Sequence, residues 1–148
     1  MLIRWLLAAV HLLALGIGLG AVVSRASALR HEAPRGELKR VFASDSAWGL
    51  AAFLWISTGL LRAFAGFEKG SAFYLGNTWF LTKMGLLLLI LALEVRPMVT
   101  LVRWRITARR GTPPDTSSAA TLARISSVQA ALVVAMVLAA SAMARGFG

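Results

Sequence analysis

Four long apolar stretches constrain the fold of this chain more than any other feature of its sequence. They cover residues 5–24, 46–61, 77–93 and 125–144, and nearly all charges lie between them. A helix rises about 1.5 Å per residue, so about 20 apolar residues cross the roughly 30 Å hydrocarbon core of a bilayer. The first and last stretches reach that length, and the middle two reach it with a few more residues at each end. The pattern predicts an all-α membrane protein, a bundle of four transmembrane helices.

The composition agrees with a chain that is embedded in lipid. Hydrophobic residues make up 58% and charged residues 15%, whereas a soluble domain usually carries about 25% charged residues. We predict a single transmembrane domain over residues 1–148, with helices at about 3–24, 38–66, 77–110 and 118–145. The chain contains no cysteine, which excludes disulfides, iron–sulfur clusters and thiolate metal sites.

The first apolar stretch has a second interpretation, as a cleaved signal peptide. Arg4 precedes it, and Ala26, Ser27 and Ala28 match an A-x-A cleavage site. The stretch is longer than the apolar core of a signal peptide and contains a histidine, His11. We therefore expect a retained transmembrane helix.

The basic residues predict the orientation. The net charge is +10, and its arrangement beside apolar stretches favours anionic lipid headgroups over nucleic acid as partners. Two loops carry eleven basic residues, namely Arg25, Arg30, Arg35, Lys39, Arg40, Arg96, Arg103, Arg105, Arg109, Arg110 and Arg124. The opposite side carries four, namely Arg4, Arg62, Lys69 and Arg145. The positive-inside rule then predicts a multi-pass membrane protein whose first and third loops face the cytoplasm and whose termini both lie on the outer side.

Several short segments resemble a known family. They are TGLLR at 58–62, EKG at 68–70 with Tyr74 after it, FLTKM at 80–84 and MARGFG at 143–148. Together they resemble a family of predicted bacterial membrane proteins that is catalogued as domain of unknown function 2214. The resemblance covers nearly the whole chain. It implies a four-helix, multi-pass protein of a bacterial inner membrane and supplies no established activity.

A histidine early in the first helix and a lysine early in the third form a second pattern, carried here by His11 and Lys83. This layout is similar to the four-helix membrane protoporphyrinogen oxidases and, more distantly, to the copper-resistance CopD membrane proteins. The resemblance implies that the histidine is associated with haem and the lysine with activity.

Depth along the helices groups four basic side chains in one layer. Counted at about 1.5 Å per residue, His11 lies roughly 10 Å below Arg4, and Lys83 lies roughly 8–9 Å below the start of its helix. Arg62 and Arg145 end the second and fourth helices on the same outer side, where Glu68 is the nearby acid. An ionisable group that faces hydrocarbon is costly. We therefore expect His11 and Lys83 to face the bundle interior at similar depth.

Each of these residues has a structural alternative. His11 is either a neutral histidine that is hydrogen-bonded to a neighbouring helix, a haem ligand, or a ligand of another metal. Lys83 can extend towards the outer headgroups, and Arg62 and Arg145 can serve as interfacial anchors. Acidic Glu94, at the inner end, is expected to pair with Arg96 or a loop arginine. On the fourth helix Gln129, Met136 and Met143 recur every seven residues and form one stripe, which favours core packing.

Three functions stay open. In the first, the bundle binds a b-type haem or another tetrapyrrole, with His11 as the iron ligand, Met136 as the second ligand, and Lys83, Arg62 or Arg145 near the propionates. The second is a cofactor-free accessory or scaffold subunit of a larger membrane complex. The third is a small transporter or anionic-lipid-binding protein. The sequence holds no nucleophile–base pair, acidic metal cluster or phosphate loop, so it gives no support to a hydrolase or kinase.

The oligomeric state is a further open question. Gly16 and Gly20 form a GxxxG pair in the first apolar stretch, a spacing that permits close contact between helices in a membrane. The motif is common in such helices, so a homo-oligomer and a larger membrane complex are both compatible with it.

Overall fold

The computed structural model describes residues 1–66 and 71–147, and over those residues it contains helices and no strands. The elements are α1 (Leu2–His31), a 3₁₀ helix (Ala33–Arg35), α2 (Lys39–Phe64), the short α3 (Ser71–Leu75), α4 (Thr78–Arg109) and α5 (Ala119–Ala144). Of the described helices, α1, α2, α4 and α5 are long and apolar enough to cross a membrane. This confirms the predicted four-helix membrane fold.

The bundle has two ends, which we name after the predicted orientation. The outer end holds α3 and both ends of the chain, and the inner end holds the 3₁₀ helix and the 110–118 loop. The side of the membrane that each end faces stays a prediction.

The helices begin and end at residues with clear local causes. Asn77 starts α4, because its side-chain oxygen accepts a hydrogen bond of 3.1 Å from the backbone N–H of Phe80. Gly111 follows α4 with a φ of 76°, a left-handed conformation that favours glycine.

The first helix was predicted too short. The predicted end is near residue 24, but α1 continues to His31. The side chain of Arg25 is held inside the bundle, so the helix does not end at this charge. A charged residue at that position therefore does not mark the start of a loop.

Helix α1 lies at the centre of the packing. It packs along α2 on one side and α5 on the other, and α5 packs against α4. Within the described residues, the backbones of α2 and α4 stay apart over nearly their whole length, and the two helices meet through side chains. The bundle is therefore closed on three sides by close helix contact and on the fourth by side chains alone.

The outward surface of the bundle is apolar, as a lipid-facing surface should be. Leu13, Ile17, Leu88 and Leu138 are all more than half exposed on it.

Both glycines of the GxxxG pair are exposed on the surface of α1. A Cβ atom built on Gly16 or Gly20 would meet open space, whereas one on Gly18 would lie 3.4 Å from the Cβ of Ala51. Gly18 is thus the glycine that brings α1 close to α2.

Candidate functional site

His11 is buried between α1 and α2, and both of its ring nitrogens are hydrogen-bonded. The indole Nε1–H of Trp55 donates to His11 Nε2 at 3.0 Å. His11 Nδ1 lies 2.9 Å from Thr58 Oγ1 and 3.0 Å from the backbone oxygen of Trp55. Because Nε2 accepts a hydrogen bond, the proton of a neutral ring belongs on Nδ1, which donates to these oxygens. This is the arrangement expected of a neutral histidine that is bonded to a neighbouring helix.

Gly59 of α2 lies directly against the imidazole ring of His11. A Cβ atom on Gly59 would lie only 3.1 Å from His11 Cε1. Glycine at this position therefore allows the ring to approach the helix closely enough to bond with Trp55 and Thr58.

A cavity of about 600 Å³ lies in the outer half of the bundle and reaches down to His11. His11, Trp55 and Met136 lie on its wall together with apolar side chains from every α-helix. Two basic side chains, Arg62 and Lys83, also line it. We call this space the outer cavity.

The structure brings together four of the five predicted site residues. His11, Arg62, Lys83 and Met136 all line the outer cavity, and Met136 is buried. The fifth, Arg145, does not line it and is exposed just beyond the end of α5. The predicted acid Glu68, and with it Lys69, lies outside the described residues.

Iron ligation by His11 does not fit this arrangement as it stands. The Nε2 lone pair that would bind a metal accepts the Trp55 hydrogen bond, and Nδ1 faces two oxygens. The described residues also contain no group of three or more His, Cys, Asp or Glu that could hold a metal ion directly, a finding that concerns the alternative of another metal and not haem, whose iron needs only axial ligands from the protein. Ligation through Nε2 would require Trp55 to move away, so the haem hypothesis stays a prediction.

A second polar site lies near the inner end and is centred on Arg25. This side chain is fully buried, yet each of its five N–H groups has an acceptor. Its Nε donates to Ser126 at 3.0 Å, and its Nη atoms donate to Asp45, Glu94 and Gln129 at 2.8–2.9 Å. The bond to Glu94 is bidentate, a strong geometry for a guanidinium and a carboxylate.

Two further side chains complete this site. Trp48 donates its indole N–H to Glu94 at 3.1 Å, and Gln129 donates to the same carboxylate at 2.8 Å. Arg105 donates to the second oxygen of Asp45 at 2.9 Å. Two arginines thus balance two carboxylates across α1, α2 and α4, and α5 adds the neutral side chains of Ser126 and Gln129. We call this set the inner network; its members are Arg25, Asp45, Trp48, Glu94, Arg105, Ser126 and Gln129.

The chain matches a known protein family over nearly its whole length. The model of a family described as predicted membrane protein, DUF2214, matches residues 3–148. The chain belongs to this family. No curated protein and no solved structure matches it. Membership confirms the first resemblance, while the similarity to the oxidase and copper-resistance proteins stays a prediction.

The inner network of this DUF2214 member was missed by the sequence analysis, which placed Arg25 in a loop. Glu94 was expected to pair with Arg96 or a loop arginine. Its partner is Arg25, which was counted among the loop arginines but lies in the core, because α1 continues past residue 25. A signal was present: Arg25 follows His11 by 14 residues, close to four helical turns, so the two share the inward face of α1. Of the predicted stripe on the fourth helix, Gln129 and Met136 are buried and Met143 is partly buried, and Gln129 joins the network.

An apolar layer separates the two sites. Ala14, Gly18, Ala51 and Val133 lie between the outer cavity and the inner network, and the small gap they surround has no room for water. Trp55 and Trp48, seven residues apart on α2, border this layer and donate their indole N–H groups to His11 above and Glu94 below.

Proposed function

We propose that the outer cavity binds an amphipathic anion, a molecule with an apolar body and a carboxylate or phosphate group. The observation that carries the proposal is the presence of Arg62 and Lys83 on the wall of a largely apolar cavity of about 600 Å³. This volume lies within the range of small-molecule sites, which combine apolar walls with a few placed polar groups. A charged headgroup would contact the two basic side chains while the apolar body fills the space towards Met136.

The site lies where such a molecule is available. Lys83 is less than two helical turns from the start of α4, so its ammonium group can meet a headgroup near the outer surface. Fatty acids and lysophospholipids both have the required apolar body and an anionic headgroup, a carboxylate in the first and a phosphate in the second. Carboxylate and phosphate headgroups are distinguished by the probes of the binding experiment.

The test measures binding to protein in nanodiscs of phosphatidylcholine, with a fluorescent long-chain fatty acid in one arm and a fluorescent lysophosphatidic acid in the other. Lys83→Gln and Arg62→Gln should each weaken binding at least about tenfold, because a hydrogen bond to a charged group contributes about 1.5–3 kcal/mol. Arg145→Gln is the matched control, since Arg145 is an outer-end arginine that does not line the cavity. It should bind like the parent protein.

A second variant tests the cavity without a change of charge. Ala140 lines the cavity wall on α5, and Ala140→Phe should block binding of both probes by occupying the space. Binding that survives Ala140→Phe, or that falls equally in Arg145→Gln and Lys83→Gln, would contradict the proposal. An accessory role in a larger membrane complex would then be the leading hypothesis.

A tetrapyrrole is a second candidate, favoured by the presence of both His11 and Met136 on the cavity wall. Its propionates would contact Arg62 and Lys83, whereas a bond to iron would need the Trp55 hydrogen bond to break. Protein expressed with ample haem should then show a Soret band that His11→Ala abolishes. Absence of the band, or its persistence in His11→Ala, would remove this candidate and leave the lipid-like anions.

A further inference from the structure

We propose that the inner network is the closed gate of a passage that begins in the outer cavity, so that the protein moves its anionic ligand between the two sides of the membrane. The identity of the ligand rests on the proposed function. The gate itself is a property of the fold and is tested below without any ligand.

The first step in the argument is the position of the closure. The outer cavity descends to His11 and Met136, and below it the gap that the apolar layer surrounds between α1, α2 and α5 has no room for water. The inner network follows directly and joins α1, α2, α4 and α5 through charged or polar side chains. A ligand in the outer cavity is therefore separated from the inner end by one apolar layer and one set of ion pairs.

The second step is that the closure lies on the loosest side of the bundle. The backbones of α2 and α4 stay apart, and at the inner end polar side chains join the two helices. Arg105 of α4 donates to the Phe42 backbone oxygen at 2.9 Å, to Asp45 at 2.9 Å and to Ser46 at 3.1 Å. Its guanidinium also lies 4.9 Å from the centre of the Phe42 ring. These bonds can be exchanged, unlike a tightly interdigitated apolar interface.

The third step is a weak point in α4 beside the gate. Pro97 lies inside the helix three residues after Glu94. Proline has no N–H, so the carbonyl of Leu93 lacks its usual helical partner, and the helix bends most easily there. The part of α4 that follows Pro97 carries Arg105. A bend at Pro97 would therefore withdraw Arg105 from Asp45.

The fourth step is that the ligand can compensate the broken bonds. Arg25 and Arg105 are held by the carboxylates of Glu94 and Asp45. An anionic headgroup that enters the gate can pair with Arg105 after Asp45 has released it, while Asp45 and Glu94 both keep their bonds to Arg25, so that neither a guanidinium nor a carboxylate is left without a counter-charge. This exchange favours opening when an anion is present over opening when the passage is empty.

The test uses single cysteines, because the chain contains none of its own. Val133→Cys places a thiol in the apolar layer, and Val137→Cys, one turn along α5, places a thiol on the wall of the outer cavity. A membrane-impermeant maleimide is added to either face of proteoliposomes of known orientation. Val137→Cys should react from the outer side, and Val133→Cys should react slowly from both sides.

Arg105→Gln should then raise the reaction rate of Val133→Cys from the inner side at least about tenfold, the change expected when the closed state loses about 1.4 kcal/mol. The rate of Val137→Cys should be unchanged. Arg103→Gln is the matched control, because Arg103 is two residues away and exposed. Pro97→Ala restores the helical hydrogen bond and should lower the inner-side rate in the Arg105→Gln background.

A second variant keeps the test decisive. If Arg105→Gln does not fold, Ser46→Ala, which removes one of the Arg105 contacts, should give a smaller increase of the same kind. An unchanged inner-side rate in folded variants, or an equal rise from both sides, would overturn the gate. Because no ligand is present, this result is independent of the binding experiment on the outer cavity.

Discussion

At the scale of single residues, Arg25 shows how a full charge is accommodated in the core of a small membrane bundle. Burial of an ion costs several kcal/mol unless its geometry is excellent and its remaining donors are satisfied. Arg25 meets both conditions, because its five N–H groups reach acceptors on three other helices. No buried side-chain nitrogen or oxygen among the described residues is left without a hydrogen bond.

We expect Arg25→Gln to lower the free energy of unfolding by about 3–5 kcal/mol, because it leaves Glu94 as a buried charge without its main partner. The measurement is thermal or denaturant unfolding in detergent. Arg35→Gln is the control: Arg35 forms a surface pair with Glu37 at 3.3 Å, both are more than half exposed, and its loss should cost less than about 1 kcal/mol. Equal losses in the two variants would show that the network contributes nothing specific to stability.

At the scale of elements, α2 positions both polar sites. Trp48 and Trp55 are seven residues apart and Gly59 follows four residues later, so all three share the face towards α1. This helix therefore sets the hydrogen bonds of His11 and Glu94 together.

Two glycines of α2 provide a matched comparison. Gly59→Ala should destabilise the protein by about 1–3 kcal/mol, because the new Cβ would lie 3.1 Å from the His11 ring. Gly49→Ala, on the same helix but with open space around the Cβ, should be neutral or stabilising by up to about 1 kcal/mol. Thermal unfolding in detergent measures both. A destabilising effect of similar size at Gly49 would show that helix packing around His11 is not the cause.

At the scale of the whole molecule, the bundle is polar in two places and apolar between them. The outer cavity contains basic side chains, the inner network is electrically balanced, and the surface that faces lipid is apolar. Since Arg25 belongs to the core, it no longer counts as a loop charge. The remaining bias of ten basic residues against four keeps the predicted orientation.

The predicted orientation can be tested with reporter fusions. A reporter that is active only outside the cytoplasm, fused after Gly148, should be active, and one fused in the 110–118 loop should be inactive. The physical reason is the positive-inside rule applied to the inner loops. The reverse pattern would invert the assignment of the two ends, although the distances within the bundle would stay the same.

The sequence alone determined that four helices cross a membrane, because apolar length is a local property that bilayer thickness converts directly into a span. It also predicted that four of the cavity residues lie in the outer half of the bundle, since the depth of a residue follows from its position along a helix. It could not assign the partners of these residues. Trp55 was indistinguishable from any other apolar position, and its hydrogen bond to His11 depends on Gly59 letting two helices approach.

Tertiary structure decided the role of Arg25. In the sequence it is one of several arginines after an apolar stretch, and local reasoning places such a charge in water or among headgroups. Only the packing of α1 against α2 and α5, with Glu94 of α4 completing the site, supplies acceptors for every N–H at once. The free energy of a buried charge depends on partners that are distant in the chain, and no local pattern encodes them.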